Sequence, residues 1–237
     1  MKPFVYFTLG YRYHMIKQFI LRSEDVYAFE FGFPTENPVY DGMKLRRTHD
    51  PSVNMYNENE NTEVFRMADE VGSRKYSLMY YEVLKSKGTR ILDYLNRNGF
   101  DGSIIPDLMI DHKDAFYETV ELLRQYSLEY VPFVTPITPT KIMQDQISAG
   151  GDWIYQGMMP ATGVQLPYSI DTIYGHIKPF AGGRHIVYGF GIRDMETMRM
   201  LAKYDAFGIA VGTAVVEMID SGDTVSYRSL IDMILEA

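Results

Sequence analysis

The stretch Tyr27-Ala-Phe-Glu-Phe-Gly-Phe-Pro-Thr-Glu-Asn-Pro-Val-Tyr-Asp-Gly42 decides how the rest of the chain is read. It begins inside a β-rich apolar run, Val26–Phe31, and passes through Gly32 and Pro34 into a polar loop. One acid, Glu30, ends the run, and a second, Asp41, stands before a glycine eleven positions later. A strand is a costly place for a carboxylate, because a buried charge without a partner shifts its pKa or destabilises the fold. Either a cation neutralises Glu30 or the chain uses it.

Working outward, strand-like runs recur at Phe4–Thr8, Tyr76–Met79, Gly102–Ile105, Tyr130–Val134, Trp153–Tyr155, His185–Tyr188 and Phe207–Val211, which with Val26–Phe31 makes eight. Helical spacing fills the intervals. Ala115, Val120, Leu122 and Leu123 share one segment, with Asp111 as its expected N-cap. Thr138-Pro139-Thr140 reads as the start of another, with proline in its first turn, and Asp194–Tyr204 and Ala214–Ile219 are two more. Strands alternating with helices imply a parallel sheet. Eight units in 237 residues match the spacing of a small α/β barrel of the (β/α)8, or TIM, type, forming a single domain over residues 1–237. Two intervals do not fit the rhythm. Glu30 to Glu63 is polar and asparagine-rich and reads as a long loop, and Gln156 to Pro167 is a second long connection.

Composition narrows the function. A net charge of −8 leaves no basic stripe for nucleic acid, so none is expected as a partner. No apolar run approaches the roughly 20 residues needed to span a bilayer, and the N-terminus reads as a first strand rather than a signal peptide. The chain has no cysteine, which excludes disulfides, thiolate metal sites and a cysteine nucleophile, and the cytoplasm is the expected compartment. His14, His49, His112, His176 and His185 show no metal-ligand spacing and read as surface or core residues. Neither a metal nor a cofactor is expected on this chain.

In a barrel of this type the chemistry sits at the C-terminal ends of the strands. Glu30, Asp41, Asp107 after the fourth strand and Tyr155 at the end of the sixth all fall there. Tyr188-Gly-Phe-Gly-Ile192 closes the seventh strand and Ala210-Val-Gly-Thr-Ala214 the eighth. Glycines at both ends let backbone N–H groups approach a phosphate. Each residue alone has a plainer reading: Glu30 as half of an ion pair, Asp41 and Asp107 as turn residues, Tyr155 as packing.

Together these residues resemble the α-subunit family of tryptophan synthase. That family carries Glu-Leu-Gly-(Ile/Val)-Pro-Phe-Ser-Asp-Pro-(Leu/Val)-Ala-Asp-Gly, and Glu30-Phe-Gly-Phe-Pro-Thr-Glu-Asn-Pro-Val-Tyr-Asp-Gly42 keeps the spacing of its two acids. The likeness continues through Leu78-Met-Tyr80, Gly102-Ser-Ile-Ile-Pro-Asp-Leu108, Phe133-Val-Thr-Pro-Ile-Thr-Pro139, Ile154-Tyr155, Thr162-Gly163, Gly189-Phe-Gly-Ile192 and Val211-Gly-Thr-Ala214.

The resemblance implies a lyase of tryptophan biosynthesis that cleaves indole-3-glycerol phosphate to indole and glyceraldehyde 3-phosphate. It implies Glu30 as the acid/base at indole C3, Asp41 as the carboxylate facing the indole N–H, and Tyr155 as the active-site tyrosine. Thr162, Tyr80 and Asp107 fall to substrate binding, and Gly163, Gly191, Gly212 and Thr213 to a phosphate cradle. Phe29 and Phe31 are the expected apolar neighbours that raise the pKa of Glu30. The implied partner is the tryptophan synthase beta subunit, in an α-β-β-α complex, with pyridoxal phosphate on the partner. Departures from the family pattern are Thr35-Glu36-Asn37 for Phe-Ser-Asp, a shortened Met158-Met-Pro-Ala-Thr-Gly163 loop, and compressed segments after strands one and two, with Arg46-Arg47 where a longer helix would begin. Three other readings stay open on the residues alone: a stand-alone indole-releasing lyase, another phosphate-binding barrel such as a sugar-phosphate isomerase, and a regulatory barrel that has lost its activity.

Overall fold

The structure, a computed structural model, describes residues 1–159, 168–192 and 194–237. Nine parallel strands form one sheet: β1 Lys2–Thr8, β2 Ala28–Gly32, β3 Arg74–Leu78, β4 Gly102–Ile104, β5 Glu129–Val131, β6 Phe133–Val134, β7 Trp153–Gly157, β8 His185–Gly189 and β9 Ala206–Val211. Their order is β5-β4-β3-β2-β1-β9-β8-β7-β6. The two ends of that row, β5 and β6, are the same run of chain interrupted at Pro132, so the sheet closes on itself as a barrel. Proline has no N–H for the ladder, and the N–H of Phe133 goes to Gln146 Oε1 at 3.2 Å instead. All eight strand runs expected from the sequence are present, the fifth in two pieces.

Side-chain alternation sorts the strands into two cores. Phe4, Tyr6, Ala28, Tyr76, Leu78, Ile104, Val131, Phe133, Trp153, Tyr155, Val187 and Ala210 fill the barrel. Val5, Phe7, Phe29, Phe31, Tyr130, Val134, Ile154, Ile186, Tyr188, Ile209 and Val211 face the helices outside. The outer layer is held by aromatic contacts such as Phe7 on Phe29 (5.6 Å between ring centroids) and Phe31 edge-on to Phe65 (4.9 Å).

The polar stretch expected to be a loop is instead two helices, Met43–Met55 and Glu58–Glu70. The first buries Leu45, Thr48, His49 and Ser52 and contains Pro51, so it has neither an apolar stripe nor an unbroken helical pattern to read. Its anchor is a hydrogen bond: Thr48 Oγ1 lies 2.7 Å from Thr8 Oγ1 on β1. The second is capped by Asn57, whose side chain accepts from the N–H groups of Asn59 (2.9 Å) and Glu60 (3.2 Å). Asp111 does not cap the helix Phe116–Gln125; it ends a short preceding helix, Leu108–Asp111, and Ala115 stands at the cap. Pro139 is likewise the N-cap of Thr140–Ala149 rather than part of its first turn. Asp194 does cap Met195–Ala202, accepting from Thr197 N–H at 2.8 Å. Among the described residues no helix is long and apolar enough to cross a membrane.

Candidate active site

Glu30 lies in the middle of β2, in register with Tyr6 on β1 and Tyr76 on β3. It therefore points the other way from Phe29 and Phe31, which pack outside the barrel. The apolar neighbours expected from adjacent sequence positions are thus not its surroundings. Its walls are the inward residues of other strands, including Tyr6, Leu78, Phe133 and Tyr155. Glu30 is buried, Oε1 has no hydrogen-bond partner, and no ion pair reaches it among the described residues. Burial alone raises its pKa from 4.5 to about 8. At neutral pH this side chain holds a proton in a pocket, as a general acid must.

Asp41 reaches the same cavity from the loop above β2. It too is buried, but it has partners. Tyr80 donates to Oδ2 at 3.1 Å, and His49 Nε2 stands 3.4 Å from the same oxygen. The Tyr80 hydroxyl accepts the N–H of Tyr40 at 3.1 Å, so one phenol fixes both the acid and the residue before it. Arg46 clasps the loop through its backbone, Nε to Asp41 O at 2.6 Å and Nη2 to Val39 O at 2.8 Å.

Two tyrosines flank the acids. Burial, then the charges of Glu30 and Asp41, push the Tyr155 hydroxyl well above its ordinary pKa, so it stays a donor. Tyr6 is raised by burial and then by Asp41. Both rings need glycines opposite them. A Cβ at Gly32 would collide with the Tyr6 hydroxyl, and one at Gly189 with that of Tyr155. Phe190 completes the wall, 5.8 Å from Tyr155 and 5.6 Å from Phe133 between ring centroids. Its backbone is left-handed, φ 67°, an uncommon state for a phenylalanine and the kind of strain that collects at functional sites.

Gly191, Gly212 and Thr213 also line the cavity. Gly191 has φ +82°, and a Cβ there would meet the Met159 side chain. Gly212 precedes the helix Thr213–Ser221, and no side chain caps that helix. Its first N–H groups therefore have no side-chain cap where the helix start lines the cavity.

One cavity thus brings together Glu30, Asp41, Tyr80, Tyr155, Gly191, Gly212 and Thr213. Asp107 does not join them. Both its oxygens accept the N–H of Tyr81, at 3.0 and 3.1 Å, so it fastens the start of the helix Tyr81–Lys87. Thr162 and Gly163 lie outside the described residues. Tyr6, Tyr40, His49 and Phe190 were not singled out from sequence. Tyr6 could have been, by its inward parity on the first strand; His49 gave no signal, being a lone histidine in a polar segment. Among the described residues no cluster of three or more His, Cys, Asp or Glu could hold a metal ion.

The family model described as tryptophan synthase alpha chain matches residues 4–233. The chain is similar to the tryptophan synthase alpha chain of Sulfurisphaera tokodaii, 28% identical over 97% of this chain and 94% of that one. It is similar also to that of Saccharolobus solfataricus, 26% identical over 96% and 92%. Among solved structures, a mutant tryptophan synthase alpha-subunit from Pyrococcus furiosus superposes with a TM-score of 0.84 at 21% identity, covering 100% of this chain and 98% of that chain.

Proposed function

Because the chain belongs to the tryptophan synthase alpha chain family, it is a lyase acting on indole-3-glycerol phosphate, and we propose that Glu30 and Asp41 divide its proton chemistry between them. Cleavage of the bond between indole C3 and the glycerol phosphate chain needs an electron-poor ring. Glu30, protonated, delivers a proton to C3. Asp41, ionised, faces the indole N–H and stabilises the positive charge that develops on the ring. The C3–carbon bond then breaks and its electron pair returns to the ring, restoring indole. The adjoining hydroxyl loses its proton as the aldehyde forms, and the Glu30 carboxylate left by the first step is the base that takes it. The proton count balances and Glu30 ends as it began.

Tyr155 contributes a neutral donor beside Glu30, and Tyr80 holds Asp41. Gly191, Gly212 and Thr213, with the open helix terminus, take the phosphate, whose binding energy orients the reacting end. Gly163 and Thr162 are assigned to the phosphate cradle and to Asp41 by family likeness. Asp107 supports the site through Tyr81. The observation that carries the reading is a pair of buried carboxyls in one cavity under opposite electrostatic regimes, one unpartnered and one hydrogen-bonded.

The proposal includes a tryptophan synthase beta subunit as partner, holding the pyridoxal phosphate, and the cytoplasm as compartment. The loop Thr35–Asn37, where the chain departs from the family pattern, is tied to Glu82 by Thr35 Oγ1 and by Asn37 Nδ2, the latter at 3.4 Å. Purified protein is incubated with indole-3-glycerol phosphate, and indole and glyceraldehyde 3-phosphate are measured with and without a beta subunit. Equal release of both products, faster with the beta subunit, is expected. Absence of indole under both conditions would overturn the lyase assignment; an unchanged rate with the beta subunit would overturn the partnership.

A further inference from the structure

His49 is buried on the inner face of the helix Met43–Met55, one ring away from Asp41. Its Nδ1 accepts the backbone N–H of Thr35 at 3.2 Å. A ring nitrogen that accepts carries no proton, so a neutral ring must carry its proton on Nε2. That nitrogen faces Asp41 Oδ2 at 3.4 Å, the long edge of hydrogen-bonding range, and has no hydrogen-bond partner among the described residues. A donor left idle at this depth destabilises the fold. The same Oδ2 takes the Tyr80 hydroxyl, while no donor among the described residues reaches Oδ1.

We propose that His49 is a positioning residue for the reaction. Its Nε2–H closes onto Asp41 Oδ2 when substrate seats, so that Oδ2 is held from two sides and Oδ1 is presented to the indole N–H. Hydrogen bonds around a reacting group are often long in the empty site and tighten in the complex. The ring also ties together two points of the one loop that runs from β2 to the helix Met43–Met55. Its Nδ1 holds Thr35, in the segment where this chain departs from its family, and its Nε2 points at Asp41. The inference rests on Asp41 serving as the carboxylate at the indole N–H.

Two amides separate the two nitrogens. In His49→Asn the side-chain oxygen takes the place of Nδ1 and accepts from Thr35, but no donor reaches Asp41. In His49→Gln the longer amide puts an N–H near the position of Nε2 and gives up the Thr35 contact. Steady-state cleavage of indole-3-glycerol phosphate is measured for both, with melting temperature as a check on folding. The expected result is a loss of about tenfold in kcat for His49→Asn with KM changed less than about twofold, and kcat within about threefold of wild type for His49→Gln. Equal losses in the two variants, or full activity in His49→Asn, would overturn the role. Asp41→Asn is the control. If it turns over normally, the reading of Asp41 itself fails; if it is inactive while His49→Asn is not, only the role of His49 fails.

Discussion

Glu30 and Asp41 are the same functional group under opposite treatment. Glu30 stands on a strand, where barrel register fixes it between Tyr6 and Tyr76 and gives it no hydrogen-bond partner at Oε1. Asp41 stands on a loop, where nothing in the sheet fixes it, and it is held by Tyr80, with His49 close by and Arg46 gripping its backbone. A rigid element can hold a side chain in an unfavourable environment, which a proton donor requires. A loop residue needs hydrogen-bond donors to hold it in place. Position in the fold therefore gives the two carboxyls opposite settings, on which the division of tasks proposed for them rests.

The largest test removes one side of that contrast. Glu30→Gln preserves shape and burial but has no proton to give, and turnover of indole-3-glycerol phosphate should fall on the order of 10³-fold, within the range for general acid–base groups, with substrate affinity retained. Single-turnover indole release together with equilibrium substrate binding measures both; near-normal turnover would end the assignment of Glu30. The same variant tests burial. The folded chain holds the Glu30 proton up to about pH 8, whereas the unfolded chain releases it near 4.5. Stability from this group is complete below the lower value and is lost as pH rises through the upper one. Glutamine does not titrate, so Glu30→Gln should gain on wild type as pH rises from 5 to 9, by on the order of 4 kcal/mol. Urea unfolding at both pH values measures it, and a constant difference would mean that Glu30 is ionised in the folded protein.

How much of this was legible depends on what kind of signal each region carries. The strands show because period-2 burial demands β-rich apolar runs, and the acids show because they violate that demand. The helices over residues 43–70 do not show, because the first is anchored by Thr48, His49 and Ser52 rather than by leucines and has Pro51 inside it. Tyr6 is one of 19 tyrosines, and it is the register of β1 on β2, which the sequence does not print, that sets it opposite Glu30 and against Gly32. The source of Glu30's burial was misassigned to Phe29 and Phe31 because adjacent residues in a strand face opposite sides. Asp107 had the right position on the barrel, but its two bonds to one backbone N–H turn it from the cavity.

The remaining tests probe the edges of the contrast. Gly212→Asp puts a carboxylate at the open helix terminus where the phosphate is proposed to sit, and like-charge repulsion there should weaken substrate binding by about 100-fold. The Tyr6 side chain lies 3.4 Å or more from a Cβ at this position, so the backbone tolerates the change and the loss reads as electrostatic. Calorimetric titration with substrate measures it, and unchanged affinity would move the phosphate elsewhere.

The smallest effect is expected on the loop side. Tyr80→Phe removes the 3.1 Å donor to Asp41 and the acceptor for the Tyr40 N–H, while the ring still fills its place. One hydrogen bond to a charged group is worth about 1.5 kcal/mol, so kcat should fall about tenfold. Glu30 does not depend on Tyr80 for its setting, so the pH at which activity declines on the alkaline side should stay where wild type has it. A variant that instead moved that limb would mean the two acids titrate as one unit, and the division of labour between strand and loop would have to be given up. A profile that only drops in height would leave it standing, with Tyr80 acting on Asp41 alone.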